Sequence, residues 1–174
     1  MNKQLPPREQ ALQLLHDANC SIKVIAHCES VAKLAKETAE TVQKKGYKVD
    51  ADLVEIGALL HDIGRSKTHT VDHAVVGANI AKDQGLPKAV VSIIKRHVGG
   101  GITTIEAKEL GWPEDSYMPE TLEEKIVSYA DKLVETFERV PIEDTIVRLR
   151  EEKKLDAAER VIKLYKEITN IIGE

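Results

Sequence analysis

The chain has 174 residues, 42% of them hydrophobic and 31% charged, with 25 Lys and Arg against 29 Asp and Glu and a net charge of -4. That length suits one domain over residues 1–174 with a core of its own. The balanced charge lacks the basic excess that a long nucleic acid or an anionic membrane demands, and Trp, Tyr and Phe at 3% leave little to stack on exposed bases.

The first residues, Met1 to Pro7, carry no apolar secretion signal, and no apolar run approaches the ~20 residues that cross a bilayer, so a cytoplasmic protein is expected. Cys20 and Cys28 match no zinc-ribbon or redox spacing and read as small apolar residues.

Nearly every segment between glycines and prolines has helical periodicity, which predicts an all-α fold. A first helix runs from about Pro7 to Asn19, with Ala11, Leu12, Leu15 and Ala18 on one face; His16 near its end suits the helix dipole. The second spans about Ser21 to Lys45, with Val24, His27, Val31, Leu34, Thr38 and Val42 inward and Gly46 placed to stop it in a left-handed conformation. A third, from Asp50 or Ala51 to Asp62, buries Leu53, Ile56, Gly57 and Leu60, with Gly64 as its terminator. His61 and Asp62 fall in its last turn.

Helices from about Asp72 to Gln84 and from Pro87 to His97 follow. Val98 to Glu120 is different: three consecutive glycines, a short helix from Thr103 to Leu110 opened by a Thr103–Glu106 capping box, then Gly111, Pro113 and Pro119. This segment suits either a mobile lid or a plain surface excursion. Thr121 caps a long helix to about Arg139 with Ile126, Ala130, Leu133, Val134 and Phe137 inward, and Pro141 ends it. The rest, about 143–172, reads as two amphipathic helices broken near Lys153 and Lys154. The last, with Ala158, Val161, Ile162, Tyr165 and Ile168, packs on the core or on another subunit, which leaves a homo-oligomer open.

His27, His61, His73 and His97 lie at helix ends or on inner faces, as do Asp62 and Asp131. Asp62 follows the apolar run Ala58–Leu59–Leu60, and an ionised carboxylate there costs several kcal/mol unless a charge or a metal meets it. Asp131, between Ala130 and Leu133, poses the same problem. Imidazoles and carboxylates together suit manganese, iron, nickel or zinc, and the absence of thiolate spacing argues against a structural zinc site. Neighbouring side chains on a helix diverge by roughly 100°, so His61 and Asp62 reach one ion only at a frayed final turn, where a two-oxygen carboxylate can also bridge to a second.

A lone His, a His-Asp pair closing an apolar helix and an Asp in a late helix is the order His27, His61–Asp62, Asp131, and it resembles the HD superfamily of metal-dependent phosphohydrolases. The similarity covers about Ile25 to Glu135. Its signature segments look like Ala58–Leu59–Leu60–His61–Asp62–Ile63–Gly64 and Ile126 to Leu133. The resemblance implies an HD-domain helical bundle, core about 21–139, with extra C-terminal helices. It implies that His27, His61, Asp62 and Asp131 hold one divalent ion, that His73 and His97 add a second in two-ion members, and that Asp62 bridges. His69 competes with His73, which is favoured because His73 and Gly77 share a helix face.

The resemblance further implies metal-activated hydrolysis of a small phosphate ester, such as a nucleotide, with Arg65 and Lys132 as cations near the phosphate; Lys67 and Arg96 are also near in sequence. The nearest subgroup is similar to symmetrical dinucleoside-tetraphosphate hydrolases and to archaeal HD proteins with a glycine-rich turn after the His97 position. Arg65 stands where many HD enzymes that cleave cyclic dinucleotides carry lysine, and their Gly-Tyr-Pro signature is missing. The alternatives are a di-iron oxygenase similar to inositol oxygenase and a regulatory module that uses metal only to hold a nucleotide.

Overall fold

A computed structural model describes residues 4–174. Its α-helices are α1 (Arg8–Asp17), α2 (Ile22–Lys44), α3 (Ala51–Leu60), α4 (His73–Asp83), α5 (Lys88–Lys95), α6 (Thr104–Glu109), α7 (Leu122–Asp131), α8 (Ile142–Glu151) and α9 (Leu155–Ile172). A 3-10 turn, Ile63–Ser66, follows α3, and the strands β1 (Val134–Glu135) and β2 (Glu138–Arg139) pair antiparallel after α7. The fold is helical, as the periodicity predicts.

The bundle is organised on α2, which packs against α3, α7 and α9. Its inner face is built of small residues: Val31, Ala32, Ala35, Ala39 and Val42 are fully buried, and alanines let neighbouring helices approach closely. Ser21 caps its start by accepting from the Val24 N–H at 3.2 Å, and Gly46 at φ 92° ends it in the left-handed form expected. Helix α3 is buried from Ile56 to Leu60 because α2, α5 and α7 all pack on it. Such enclosure is why His61 and Asp62, directly after it, lie inside the protein.

Gly64 has a different role from the terminator expected. It lies within the 3-10 turn and its φ is not positive. What it supplies is absence of bulk: a Cβ there would overlap the backbone carbonyl of His73, while a Cβ on Gly77 would meet the Gly64 nitrogen at 3.1 Å. The two glycines press the His-Asp turn onto α4.

The long helix expected to Arg139 is a correction. Helix α7 ends at Asp131, and the chain turns back through the β1–β2 hairpin, with Thr136 at φ 54° and the Val140 N–H donating to the Leu133 carbonyl at 2.9 Å. Val134 is β-branched and favours the extended strand, whereas Thr136 takes the left-handed form against its own branching. Phe137, expected inward, is 64% exposed at the hairpin tip. The break near Lys153 occurs as read, with Lys153 at φ 62°, and α9 packs on the core through Val161, Leu164 and Ile168.

The segment after His97 is tied down at several points. Both predicted caps form, Thr103 with Glu106 and Thr121 with Glu124. Ala74, Ala107, Trp112 and Tyr117 make a small second core. Gly100 lies against the backbone of Arg160, whose guanidinium donates to the Gly101 carbonyl at 3.2 Å and pairs with Glu106 at 2.7 Å. This arrangement is a packed surface excursion.

Candidate metal centre

The six residues expected to hold metal are brought together from five parts of the chain. His27 comes from the second turn of α2, and His61 and Asp62 from the junction of α3 with the 3-10 turn. His73 is the first residue of α4, His97 follows the end of α5, and Asp131 closes α7. His61, Asp62, His73 and His97 are all buried. His69 is exposed, and its contribution is a backbone carbonyl that accepts from Arg65 at 3.2 Å.

All four imidazoles are oriented the same way. Each Nδ1 meets a backbone carbonyl, at 3.0 Å for His27 with Thr136, 2.6 Å for His61 with Ala58, 2.7 Å for His73 with Thr70 and 2.6 Å for His97 with Ile94. A carbonyl only accepts, so each Nδ1 donates, and Nε2 is the ring atom left to face the centre. The four Nε2 atoms converge on carboxylate oxygens, which are acceptors.

The convergence divides in two. On one side the Nε2 atoms of His27 and His61 lie 2.9 and 3.2 Å from Asp131 Oδ1, and 3.7 and 3.5 Å from Asp62 Oδ2. On the other, His73 and His97 each place Nε2 3.2 Å from Asp62 Oδ1 and 3.0 Å from one another. The donor atoms of His27, His61 and Asp131 fall within 4.8 Å of each other, as do those of His61, Asp62 and His97. The two oxygens of Asp62 therefore face opposite groups.

Acceptors packed this closely require positive charge between them. Burial opposes protonation of His61, but Asp62 and Asp131 outweigh it and hold its pKa well above the usual imidazole value. Burial would raise the Asp62 carboxyl, yet His61, His73 and His97 hold it well below the usual range. Asp131 is likewise held low against its burial, first by Lys132 and then by His61. Burial pushes His97 down to about 4, so its lone pair stays available at neutral pH.

The two cations expected beside the phosphate differ in their freedom. Lys132 is 8% exposed, and its ammonium donates to the His97 carbonyl at 2.8 Å, the Ser128 carbonyl at 3.3 Å and Asp131 Oδ2 at 3.0 Å. With three protons and three acceptors it is fully committed. Arg65 donates Nε to Asp62 Oδ2 at 3.1 Å, and its half-buried side chain retains further N–H groups at the cleft mouth. Arg96 is held by Glu124 at 2.9 Å and the Ser116 carbonyl at 3.1 Å, and Lys67 is exposed.

The centre opens into a cleft of about 420 Å³, whose other walls include Lys23, Thr145 and Arg148. The sequence reading missed these three. Lys23 was recoverable, one helical turn before His27; Thr145 and Arg148 come from α8, and no local pattern announces them.

Comparison with known proteins gives consistent relatives. The HD domain family matches residues 24–136. An uncharacterized protein of Methanocaldococcus jannaschii is 45% identical over 166 residues, covering 94% of this chain and 98% of its own. A tRNA (cytidine(56)-2'-O)-methyltransferase of Picrophilus torridus is 40% identical over 171 residues, covering 98% of this chain, which spans only 49% of that enzyme. Among solved structures, the HD domain of the L. monocytogenes phosphodiesterase PgpH, in complex with cyclic-di-AMP, superposes with a TM-score of 0.61 at 19% identity, covering 94% of this chain and 93% of its own. At that identity the likeness is one of fold.

Proposed function

Because the chain belongs to the HD domain family, we propose that its histidine–aspartate centre is the active site of a metal-dependent phosphohydrolase acting on a nucleotide or other small phosphate ester. The observation that carries this reading is the shared orientation of the four imidazoles, each Nδ1 proton spent on a carbonyl and each Nε2 turned toward a carboxylate. The donor set fits manganese, iron, nickel or zinc. His27, His61, Asp62 and Asp131 would hold one ion; His73, His97 and the second oxygen of Asp62 would hold another.

When bound, such ions acidify water and offset the charge that gathers on phosphoryl oxygens. The protein's own groups do the rest. Asp62 holds the two halves of the centre in register. Lys132 fixes the Asp131 carboxylate and the His97 backbone, a positioning role suited to an ammonium with no donor left over. Arg65 keeps Asp62 oriented with Nε and offers its outer N–H groups to a phosphoryl oxygen, a contact that a planar guanidinium makes well. Arg148 and Lys23 add positive charge at the mouth.

A second reading places the scissile phosphate on an RNA, and the observation favouring it is a relative named as a tRNA (cytidine(56)-2'-O)-methyltransferase, of which this chain matches about half. No helix among the described residues is long and apolar enough to cross a membrane. The decisive experiment is element-resolved metal analysis of anaerobically purified protein, followed by phosphate-release assays. The substrates are nucleoside monophosphates, dinucleoside polyphosphates, cyclic dinucleotides and RNA with 3'-phosphate or 2',3'-cyclic phosphate ends. Two ions per chain with turnover of one class support the reading. Full metal loading with no turnover across the panel, beside tight nucleotide binding, would replace it with a regulatory module.

A further inference from the structure

The cleft over the centre continues into a second hollow of about 700 Å³, set between the segment after His97 and the α8–α9 turn. Val98, Gly99, Thr145 and Arg148 line both spaces, so they form one passage with the centre at its end. Its two halves differ in chemistry. Imidazoles, carboxylates and cations surround the first, whereas Ile102, Leu110 and Leu155 line the second. Leu110 and Leu155 are 42% and 61% exposed, large apolar groups left open to solvent beside an ionic site.

The charges of the second hollow are partly neutralised within the fold. Glu106 is paired with Arg160 at 2.7 Å and Glu152 with Lys154 at 2.8 Å. The Arg148 guanidinium, at the junction of the two spaces, has no hydrogen-bond or ion-pair partner among the described residues. Glu109 and Asp156 stand on the rim as free acceptors and Lys153 as a donor.

We infer that the second hollow receives the nucleoside of a nucleoside phosphate, with its base against Ile102, Leu110 and Leu155 and its phosphate at the centre beneath Arg148. The inference rests on the phosphohydrolase reading and narrows its substrate class. A sugar phosphate would be satisfied by the ionic cleft alone and has no flat apolar face to lay on leucines. A base has such a face, and its polar edge matches acceptors and a donor on the rim. In the reaction water's oxygen joins phosphorus, the ester P–O bond breaks, and water's proton leaves with the nucleoside oxygen, giving phosphate and a free nucleoside hydroxyl.

The experiment compares the 5'-monophosphates of adenosine, guanosine, cytidine and uridine with ribose 5-phosphate, which keeps sugar and phosphate and lacks the base. With metal-loaded protein at least one nucleotide should show a KM about tenfold below that of ribose 5-phosphate. Leu155→Glu and Leu110→Glu alter exposed positions away from the centre. Each should raise that nucleotide's KM about tenfold and leave ribose 5-phosphate unchanged. Equal KM values for nucleotides and ribose 5-phosphate, or equal effects of the variants on both, would overturn the inference. Should no phosphate be released from any of them, monophosphate hydrolysis at the centre fails while the wider panel still decides the phosphohydrolase reading, and calorimetry with the free nucleosides reads the hollow on its own. Nucleoside binding abolished by Leu155→Glu would sustain it, and no binding to the parent would refute it.

Discussion

His73 and His97 face each other Nε2 to Nε2 at 3.0 Å, although each has already turned its Nδ1 to a backbone carbonyl. Both Nε2 atoms so held also face Asp62 Oδ1, 3.2 Å from each. Replacing His97 with Ala should therefore lower metal content from two ions per chain to one. Asp62→Ala, which withdraws an oxygen from each group, should remove both ions and phosphate release together. Elemental analysis of the purified variants distinguishes these patterns, and full metal content in Asp62→Ala would exclude the shared-carboxylate arrangement.

Lys132→Met keeps the length of the side chain and deletes its charge. It strips the ammonium from Asp131 and an N–H donor from the His97 carbonyl. The expected loss is about 2 kcal/mol in denaturant unfolding, because a partly buried carboxylate loses its ammonium and keeps only the imidazoles of His27 and His61. Restoring metal should recover part of it.

Gly64→Ala and Gly46→Ala separate two reasons for glycine. At Gly46 the space is open and only the positive φ objects, so about 1 kcal/mol is expected. At Gly64 the new methyl would strike the His73 carbonyl, and about 3 kcal/mol is expected together with reduced metal occupancy as Asp62 is pushed from His73. Thermal melts with and without metal measure both.

Cys20 is half-buried, and burial, followed by the nearby Cys28 and Asp62, lifts its pKa from 9.0 to about 11. The folded protein holds this proton where the unfolded chain has lost it. Its contribution to stability is whole below pH 9 and is lost as pH rises toward about 11. Alkylation of native protein at pH 8 should be slow, and the denaturation midpoint should fall between pH 9 and 11.

Phe137 tests the correction made at the end of α7. A Phe137→Ser change should cost under about 0.5 kcal/mol, as at an exposed site, whereas Ile126→Ala, fully buried on the same segment, should cost about 3 kcal/mol.

Much of this was legible because it is local. Caps at Thr103 and Thr121, the stop at Gly46 and the buried run before His61 all have short-range causes. The six converging side chains could be read because ionisable groups on apolar helix faces are costly without a shared purpose. The end of α7 could not, because Leu133, Val134 and Phe137 continue its helical period. The chain turns after Asp131 where Lys132 is drawn to the His97 carbonyl and Thr136 offers its own carbonyl to His27, and those partners lie far away in sequence. Arg148 was hidden for the same reason.

Three of the four imidazoles take their orienting acceptor from the residue three places earlier, Ala58, Thr70 and Ile94. The scaffold behind these rings is main chain, which every residue type supplies alike. Side chains around the centre can consequently be exchanged for new substrates while the rings keep their aim, provided the helix ends beneath them stay intact. Altering catalytic preference and preserving ligand alignment thus become separable engineering problems in this protein.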